Sequence, residues 1–204
     1  MPPTIVLITG ANRGIGKGIL KLYLQKPNHT VIAATRDPTH PISTALTDLP
    51  TAEGTTLLII KNESTSPTDA AAAVQELASR GISHIDIVVA NAAIALGWPK
   101  VSDVTVEEIQ RHVEVNVHGF IRLWQALNFI PLQSASYAPT KAIQYWFTKA
   151  ISSEDPWITA FVVDPGWALT VEESATGVVT VIDASTRETH SGRPFNYDGD
   201  ELSW

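Results

Sequence analysis

TGANRGIG, residues 9–16, is the stretch from which the architecture of this 204-residue chain can be worked out. It follows an apolar run at residues 4–8 and precedes a helical pattern that places Ile15 and Ile19 on one face. Glycines at a strand-to-helix junction let the backbone turn tightly and approach a pyrophosphate at the positive end of the helix. The stretch therefore predicts a dinucleotide-binding turn, and the alternative is a tight turn that binds nothing.

Short apolar runs rich in β-branched residues recur along the whole chain. They occupy residues 4–8, 30–35, 57–60, 85–90 and 158–163. Each lacks the polar alternation of a strand with one wet face, and helical patterns lie between them. A longer helical stretch is predicted from about residue 105 to residue 127. Strands buried on both faces and alternating with helices predict an α/β fold, a Rossmann-type doubly wound parallel sheet, with residues 1–204 forming a single domain.

Composition narrows the class of partner. The net charge is −7 and no basic run is present, which argues against nucleic acids and anionic membrane surfaces. No apolar run approaches the roughly 20 residues of a membrane helix. The chain has no cysteine, and its six histidines show no metal-ligand spacing, so no metal site is expected. A small-molecule partner and a cytoplasmic location are the expectations.

Two arginines indicate which dinucleotide the turn would prefer. Arg36 follows the second strand and Arg13 lies inside the glycine-rich stretch. Both guanidinium groups can converge on the place where a ribose 2′-phosphate would bind, which predicts NADPH as the cofactor. The alternative is a solvated surface pair between Arg36 and Asp37.

Tyr137 and Lys141 are four residues apart, a spacing that places both side chains on one face of a helix. A phenol is a poor acid or base at neutral pH, but an adjacent ammonium group favours its ionised form. The pair alone is compatible with an acid-base site or with an ordinary surface pair, and the other motifs of the chain favour the acid-base site.

Three motifs in this order are shared with a known family: TGANRGIG, then Asn91-Ala92-Ala93, then Tyr137 with Lys141. On these motifs the chain resembles the short-chain dehydrogenase/reductase family. The resemblance implies hydride transfer between a nicotinamide cofactor and a carbonyl substrate. It implies as cofactor-binding residues Gly10, Asn12, Arg13, Gly14, Ile15, Gly16, Arg36, Glu63, Asn91, Tyr137, Lys141 and Thr170.

The resemblance also implies roles for individual side chains. Tyr137 would donate the proton to the substrate carbonyl, while Lys141 would hold the nicotinamide ribose. Asn116 would order a water molecule for proton relay, and the alternative is that its amide caps a helix kink. Thr170 would contact the nicotinamide carboxamide. Glu63 stands where the family usually has an aspartate near the adenine.

The serine that completes the family's catalytic site has no clear counterpart here. Residues 129–136, eight in all, are too few for two ordinary loops and a normal strand before Tyr137. The fifth strand is therefore expected to be missing or shortened. Ser134 or Ser136 could replace the missing hydroxyl, although Pro131 disfavours a central strand at this place.

A second departure follows Thr170, where relatives carry a substrate-covering segment that this chain lacks. Two further stretches are the ending Phe195-Asn196-Tyr197-Asp198-Gly199 with Trp204, and the run Leu132-Gln133-Ser134-Ala135-Ser136 before Tyr137. On these stretches the chain is similar, within the family, to fungal ketoreductases of the norsolorinic acid ketoreductase type. The expected function is therefore an NADPH-dependent carbonyl reductase acting on an aromatic polyketide ketone. Trp98 and Trp167 would line its apolar site or belong to the core. The alternative is a catalytically inactive NADP-binding isoform that acts as a dimerisation partner. A homodimer is compatible with either function, and the sequence does not identify the oligomeric state.

Overall fold

The computed structural model describes residues 2–127, 138–166 and 170–203. These residues belong to two compact units. The first unit consists of Met1–Gly97 with Thr105–Ile130, and the second consists of Trp98–Val104 with Pro131–Trp204. A single domain over residues 1–204 stays a prediction.

The first unit alternates strands and helices. Its elements in chain order are β1 (Thr4–Thr9), α1 (Gly14–Leu24), β2 (His29–Thr35), α2 (Pro41–Thr44), a 3₁₀ turn (Ala45–Asp48), β3 (Thr56–Lys61), α3 (Asp69–Ser79), β4 (Ile87–Val89), α4 (Val106–Val113), a π-helical turn (Glu114–His118) and α5 (Gly119–Ala126). The strands predicted at residues 4–8, 30–35 and 57–60 are confirmed within one residue at each end. The strand predicted at residues 85–90 is shorter, because only Ile87–Val89 pair with β1.

The four strands form one parallel sheet in the order β3-β2-β1-β4. β1 lies at the centre, where Ile8 pairs with Ala33 on one side and Val89 on the other. The chain leaves β3 and returns to the far side of β1, so the direction of strand addition reverses beside β1. In parallel sheets a crevice for ligands opens at such a reversal, outside the carboxyl ends of the strands. The predicted Rossmann-type α/β fold is confirmed.

Both faces of this sheet are buried, which explains why its strands read as unbroken apolar runs. In β1, Ile5 and Leu7 face one layer while Val6 and Ile8 face the other, because successive side chains alternate across a strand. Ile5 and Leu7 pack in a core cluster with α3 and α5 residues. Val6 and Ile8 pack in a second cluster with α1 residues.

The helical stretch predicted at residues 105–127 is confirmed, because α4, the π-helical turn and α5 follow one another without a gap from Val106 to Ala126. The stretch departs from regular α-helix at Glu114–His118. A π-helical turn accommodates an extra residue per turn and is frequent at functional sites. Asn116 lies within it.

The second unit contains α6 (Ala138–Glu154), β5 (Val162–Asp164), α7 (Val171–Ala184), α8 (Arg187–His190) and β6 (Pro194–Asn196). β5 and β6 form a parallel pair in which Val163 lies opposite Phe195. The strand predicted at residues 158–163 is therefore shorter than expected and ends one residue later. Residues 129–136, where a missing or shortened fifth strand is expected, lie outside the described residues.

Residues 2–127, 138–166 and 170–203 contain no helix with the length and hydropathy of a membrane span. The same residues bring together no group of three or more histidine, aspartate or glutamate side chains able to hold a metal ion.

Candidate functional site

The turn between β1 and α1 can be built only from glycine at its key positions. Gly10 and Gly14 have φ angles of +63° and +53°, the left-handed region that favours glycine. A Cβ added to Gly16 would come 2.5 Å from Nδ2 of Asn91 and would also collide with the carbonyl oxygen of Gly10. The backbone of the turn therefore approaches the end of β4 more closely than any side chain would allow.

Asn91 fastens this turn to the sheet. Its Nδ2 donates to the carbonyl oxygen of Thr9 at 3.0 Å. The buried hydroxyl of Thr9 accepts from the backbone amides of Asn91 (3.0 Å) and Ala92 (2.9 Å). The carboxyl ends of β1 and β4 are thus held together beside the glycine-rich turn, and Asn91 stabilises the turn through its amide group.

A cleft of about 580 Å³ opens at this edge of the sheet. The predicted cofactor-binding residues in its lining are Gly10, Asn12, Arg13, Gly14, Ile15, Gly16, Arg36, Glu63 and Asn91. α1 begins at this cleft with no acidic residue in its first turn, so the positive end of the helix dipole is not neutralised there. Asn12 Nδ2 donates to the buried Ser43 hydroxyl at 3.0 Å, which ties the turn to α2.

Arg36 provides a cationic group in this cleft. Its side chain is 77% exposed, and its Nε lies 3.6 Å from Oε2 of Glu63. The Asp37 carboxylate accepts instead from the hydroxyl (2.7 Å) and the backbone amide (2.9 Å) of Thr39. These hydrogen bonds, that of the hydroxyl first, hold the pKa of Asp37 below its usual value. The arginine therefore pairs with Glu63, and not with Asp37 as the surface-pair alternative proposed.

Asn116 ties the π-helical turn to the segment that follows β4. Its Oδ1 accepts from the backbone amide of Ile94 at 2.8 Å, and its Nδ2 donates to the carbonyl oxygen of Ile94 at 2.9 Å. This use of the side chain agrees with the alternative in which Asn116 stabilises a helix distortion. The water relay through Asn116 stays a prediction.

The remaining site residues belong to the second unit. Lys141 lies in the first turn of α6, exposed, with its Nζ donating to Oε1 of Gln144 at 3.2 Å. Thr170 caps α7, because its hydroxyl accepts from the amide of Glu173 while the Glu173 carboxylate accepts from Thr170. The backbone amide of Thr170, followed by its hydroxyl, lowers the pKa of Glu173. Tyr137, Ser134, Ser136 and Trp167 lie outside the described residues.

One network of linked side chains near the cleft was not predicted from the sequence. Arg122 donates through Nη1 to the carbonyl oxygen of Ser64 (2.7 Å) and through Nη2 to Oε1 of Glu114 (2.7 Å). The Glu114 carboxylate also pairs with Nδ1 of His118 at 2.7 Å, and hydrogen bonds from His118 and then Arg122 lower the pKa of Glu114. The spacing of four residues between Glu114, His118 and Arg122 is the signal that could have predicted this network.

Comparison with known proteins agrees with this geometry. A family model described as short chain dehydrogenase matches residues 4–133. Norsolorinic acid ketoreductase of Aspergillus parasiticus is 32% identical over 252 aligned residues, covering 100% of this chain and 93% of the relative. Short-chain dehydrogenase srdF of Neurospora crassa is 34% identical over 251 residues, covering 98% of each protein.

These two alignments are both longer than the chain of 204 residues. The relatives therefore contain positions that have no counterpart in this chain. The predicted gaps at the fifth strand and after Thr170 stay predictions.

Solved structures show the same fold. The NADPH-bound carbonyl reductase from chicken fatty liver superimposes with a TM-score of 0.55 at 23% identity, covering 100% of both chains. A short-chain type dehydrogenase/reductase from Mycobacterium marinum gives a TM-score of 0.52 at 25% identity, covering 81% of this chain and 73% of the other.

Proposed function

Because the chain belongs to the short-chain dehydrogenase/reductase family, we propose that it is an NADPH-dependent carbonyl reductase. The observation that carries the proposal is the glycine-lined cleft at the carboxyl ends of β1, β2 and β4, with Arg13 and Arg36 in its lining. The family supports an oxidoreductase acting on a small molecule. The choice of NADPH rests on the two arginines.

The residues of the cleft fit a dinucleotide. The absence of a Cβ at Gly16 lets the first turn of α1 pack against Gly10 and Asn91 in the lining of the cleft. A helix N-terminus at this place offers its backbone amides to a pyrophosphate. Arg13 and Arg36 supply donors suited to a 2′-phosphate. Glu63 would remain beside Arg36, and its carboxylate would compete with that phosphate for the guanidinium group.

The glycine-rich turn with Arg13 and Arg36 would hold NADPH, which would supply the hydride for reduction of a substrate carbonyl. Tyr137 donates a proton from its phenol oxygen to the carbonyl oxygen. The Lys141 ammonium group stabilises the phenolate that remains and holds the nicotinamide ribose. Asn116 keeps the π-helical turn and Ile94 together, and Thr170 contacts the carboxamide.

An aromatic ketone is the proposed substrate class. The support comes from relatives named norsolorinic acid ketoreductase in Aspergillus parasiticus and Dothistroma septosporum, each 32% identical to this chain. Trp98, with 94% of its surface exposed, is an aromatic side chain available to such a ligand. The cytoplasmic location and the homodimer stay predictions.

A second candidate is an NADP-binding chain without reductase activity. The relatives' alignments exceed the length of this chain, and only residues 129–136 are available between the long helical stretch and Tyr137. A chain shortened at this place would retain the nucleotide cleft of the first unit while lacking the serine of its relatives.

Consumption of NADPH with an aryl ketone and an ortho-quinone separates the two candidates. We expect Tyr137→Phe to lower the rate by about 10²- to 10⁴-fold, the usual contribution of a general acid. Tyr145→Phe, a change on α6 outside the proposed site, is the matched control and should retain the rate. If NADPH binds but neither carbonyl compound consumes it, the second candidate is correct.

A further inference from the structure

The segment after β4, residues 92–97, forms part of the cleft wall through Ala92, Ala93 and Ile94. Among the described residues, no backbone-to-backbone hydrogen bond holds this segment. Its alternate amides donate to side chains instead: Ala92 to Thr9, Ile94 to Asn116, and Leu96 to a histidine of α4. The position of the wall therefore depends on these side chains.

The histidine is His112. Its Nε2 lies 3.1 Å from the backbone nitrogen of Leu96, and its Nδ1 lies 2.7 Å from the carbonyl oxygen of Glu108. A backbone amide can only donate and a carbonyl oxygen can only accept, so these partners require a neutral ring with its hydrogen on Nδ1. Both ring nitrogens are thereby used in holding Leu96 to α4.

His112 and Asn116 match the segment in register. Four residues along a helix advance by about 6 Å, which is close to the roughly 6.6 Å that two residues of an extended chain advance. The two helix side chains can therefore bind alternate residues of the segment at the same time. They act as two neighbouring ties between the helix and the cleft wall.

We propose that His112 is a positioning residue, which fixes the segment 92–97 so that its amino-terminal half forms the wall of the dinucleotide cleft. His112 is absent from the cleft lining and acts through Leu96. The consequence for NADPH rests on the proposed function, whereas the tie between His112 and Leu96 rests on the hydrogen bonds alone. His112 is one of the six histidines for which the sequence predicts no ligand role.

Three variants of the full chain test this proposal. His112→Leu removes the acceptor for Leu96. His112→Gln retains an acceptor oxygen at the end of a side chain of similar reach. His118→Leu is the matched control, because His118 belongs to the adjoining π-helical turn and pairs with Glu114.

The first measurement is hydrogen exchange of residues 92–97 without added dinucleotide. Loss of one hydrogen bond should speed exchange at the Leu96 amide by about three- to tenfold in His112→Leu. His112→Gln and His118→Leu should exchange at nearly the wild-type rate. Unchanged exchange in His112→Leu, or the same acceleration in His112→Gln, would show that His112 does not hold Leu96 through this hydrogen bond.

The second measurement is the dissociation constant for NADPH. His112→Leu should weaken binding by about three- to tenfold, with recovery in His112→Gln. A wild-type constant in His112→Leu would overturn the positioning role. If the wild-type chain itself fails to bind NADPH, the proposed function and this positioning role both fail, while the exchange measurement still decides whether His112 holds Leu96.

Discussion

Arg36→Ala removes a guanidinium group that we propose binds the 2′-phosphate of NADPH. In the structure this guanidinium group is 77% exposed and lies 3.6 Å from the Glu63 carboxylate. An exposed pair of this kind stabilises a fold by about 0–1 kcal/mol. The substitution should therefore leave the free energy of unfolding almost unchanged, so that a change in binding reports on the cofactor.

The expected loss of NADPH affinity follows from the lost contact. A hydrogen bond to a charged group contributes about 1.5–3 kcal/mol, which corresponds to about a 10- to 150-fold higher dissociation constant. NADH has no 2′-phosphate, so its affinity should change little. The ratio of the two dissociation constants is the quantity that Arg36→Ala should shift toward NADH.

Titration of each variant with NADPH and NADH provides the assay. Arg80→Ala is the matched control, because Arg80 is also a partly exposed arginine paired with a glutamate, Glu76, and is absent from the cleft lining. Glu63→Gln should strengthen NADPH binding, since it removes the carboxylate that competes for Arg36. Equal losses for NADPH and NADH in Arg36→Ala would refute the assignment.

Three further predictions concern the turn, the core and acid stability. Gly16→Ala should weaken NADPH binding at least tenfold, about 1.4 kcal/mol, because the added methyl group would collide with the Gly10 carbonyl oxygen. Titration with NADPH measures this loss of affinity. Leu20→Ala should lower the free energy of unfolding by about 2–5 kcal/mol in urea denaturation, since Leu20 is fully buried. A hydrogen bond from Ser66 lowers the pKa of Asp69. The Asp69 carboxylate therefore stabilises the folded state at pH values above the unfolded pKa of about 4, and this stabilisation is lost as the pH falls further. Asp69→Asn should reduce this loss of stability at acid pH in denaturation curves.

Leu22→Ala is the control for Leu20→Ala, because Leu22 lies on the same helix, α1, and is 70% exposed. It should alter the free energy of unfolding by less than about 0.5 kcal/mol. Equal losses at Leu20 and Leu22 would contradict the assigned core. NADPH binding by Gly16→Ala at wild-type strength would contradict the close approach in the turn. An acid-side loss of the same steepness in Asp69→Asn would remove the role given to that carboxylate.

The fold could be predicted because the central strands are buried on both faces. Ile5 and Leu7 pack on one side while Val6 and Ile8 pack on the other, so β1 has no polar position that would obscure the pattern. The glycine-rich turn was equally predictable, since a left-handed backbone and a close approach leave few alternatives to glycine.

The π-helical turn could not be predicted, because the apolar pattern of residues 105–127 continues through it. The hydrogen bonds that the Ile94 and Leu96 amides donate to Asn116 and His112 join residues far apart in sequence. No local pattern contains such contacts. They become visible only after the long helical stretch has been placed beside the end of β4.

The ion-pair partner of Arg36 could be predicted only from the register of the strands. The parallel pairing of β2 with β3 places Thr35 opposite Lys61, and the Asn62 amide donates to the Thr35 carbonyl oxygen at 2.8 Å. Residues that follow these two strands therefore come together, which places Glu63 beside Arg36. Sequence proximity alone suggested Asp37, whose carboxylate is used by Thr39 in the same loop.

Calorimetric titration of the purified full chain with NADPH decides whether the glycine-lined cleft binds a dinucleotide. We expect saturable binding at one site per chain, with a dissociation constant below about 1 mM, the upper end of the usual range for enzyme ligands. No binding signal with either NADPH or NADH would refute the assignment of this cleft.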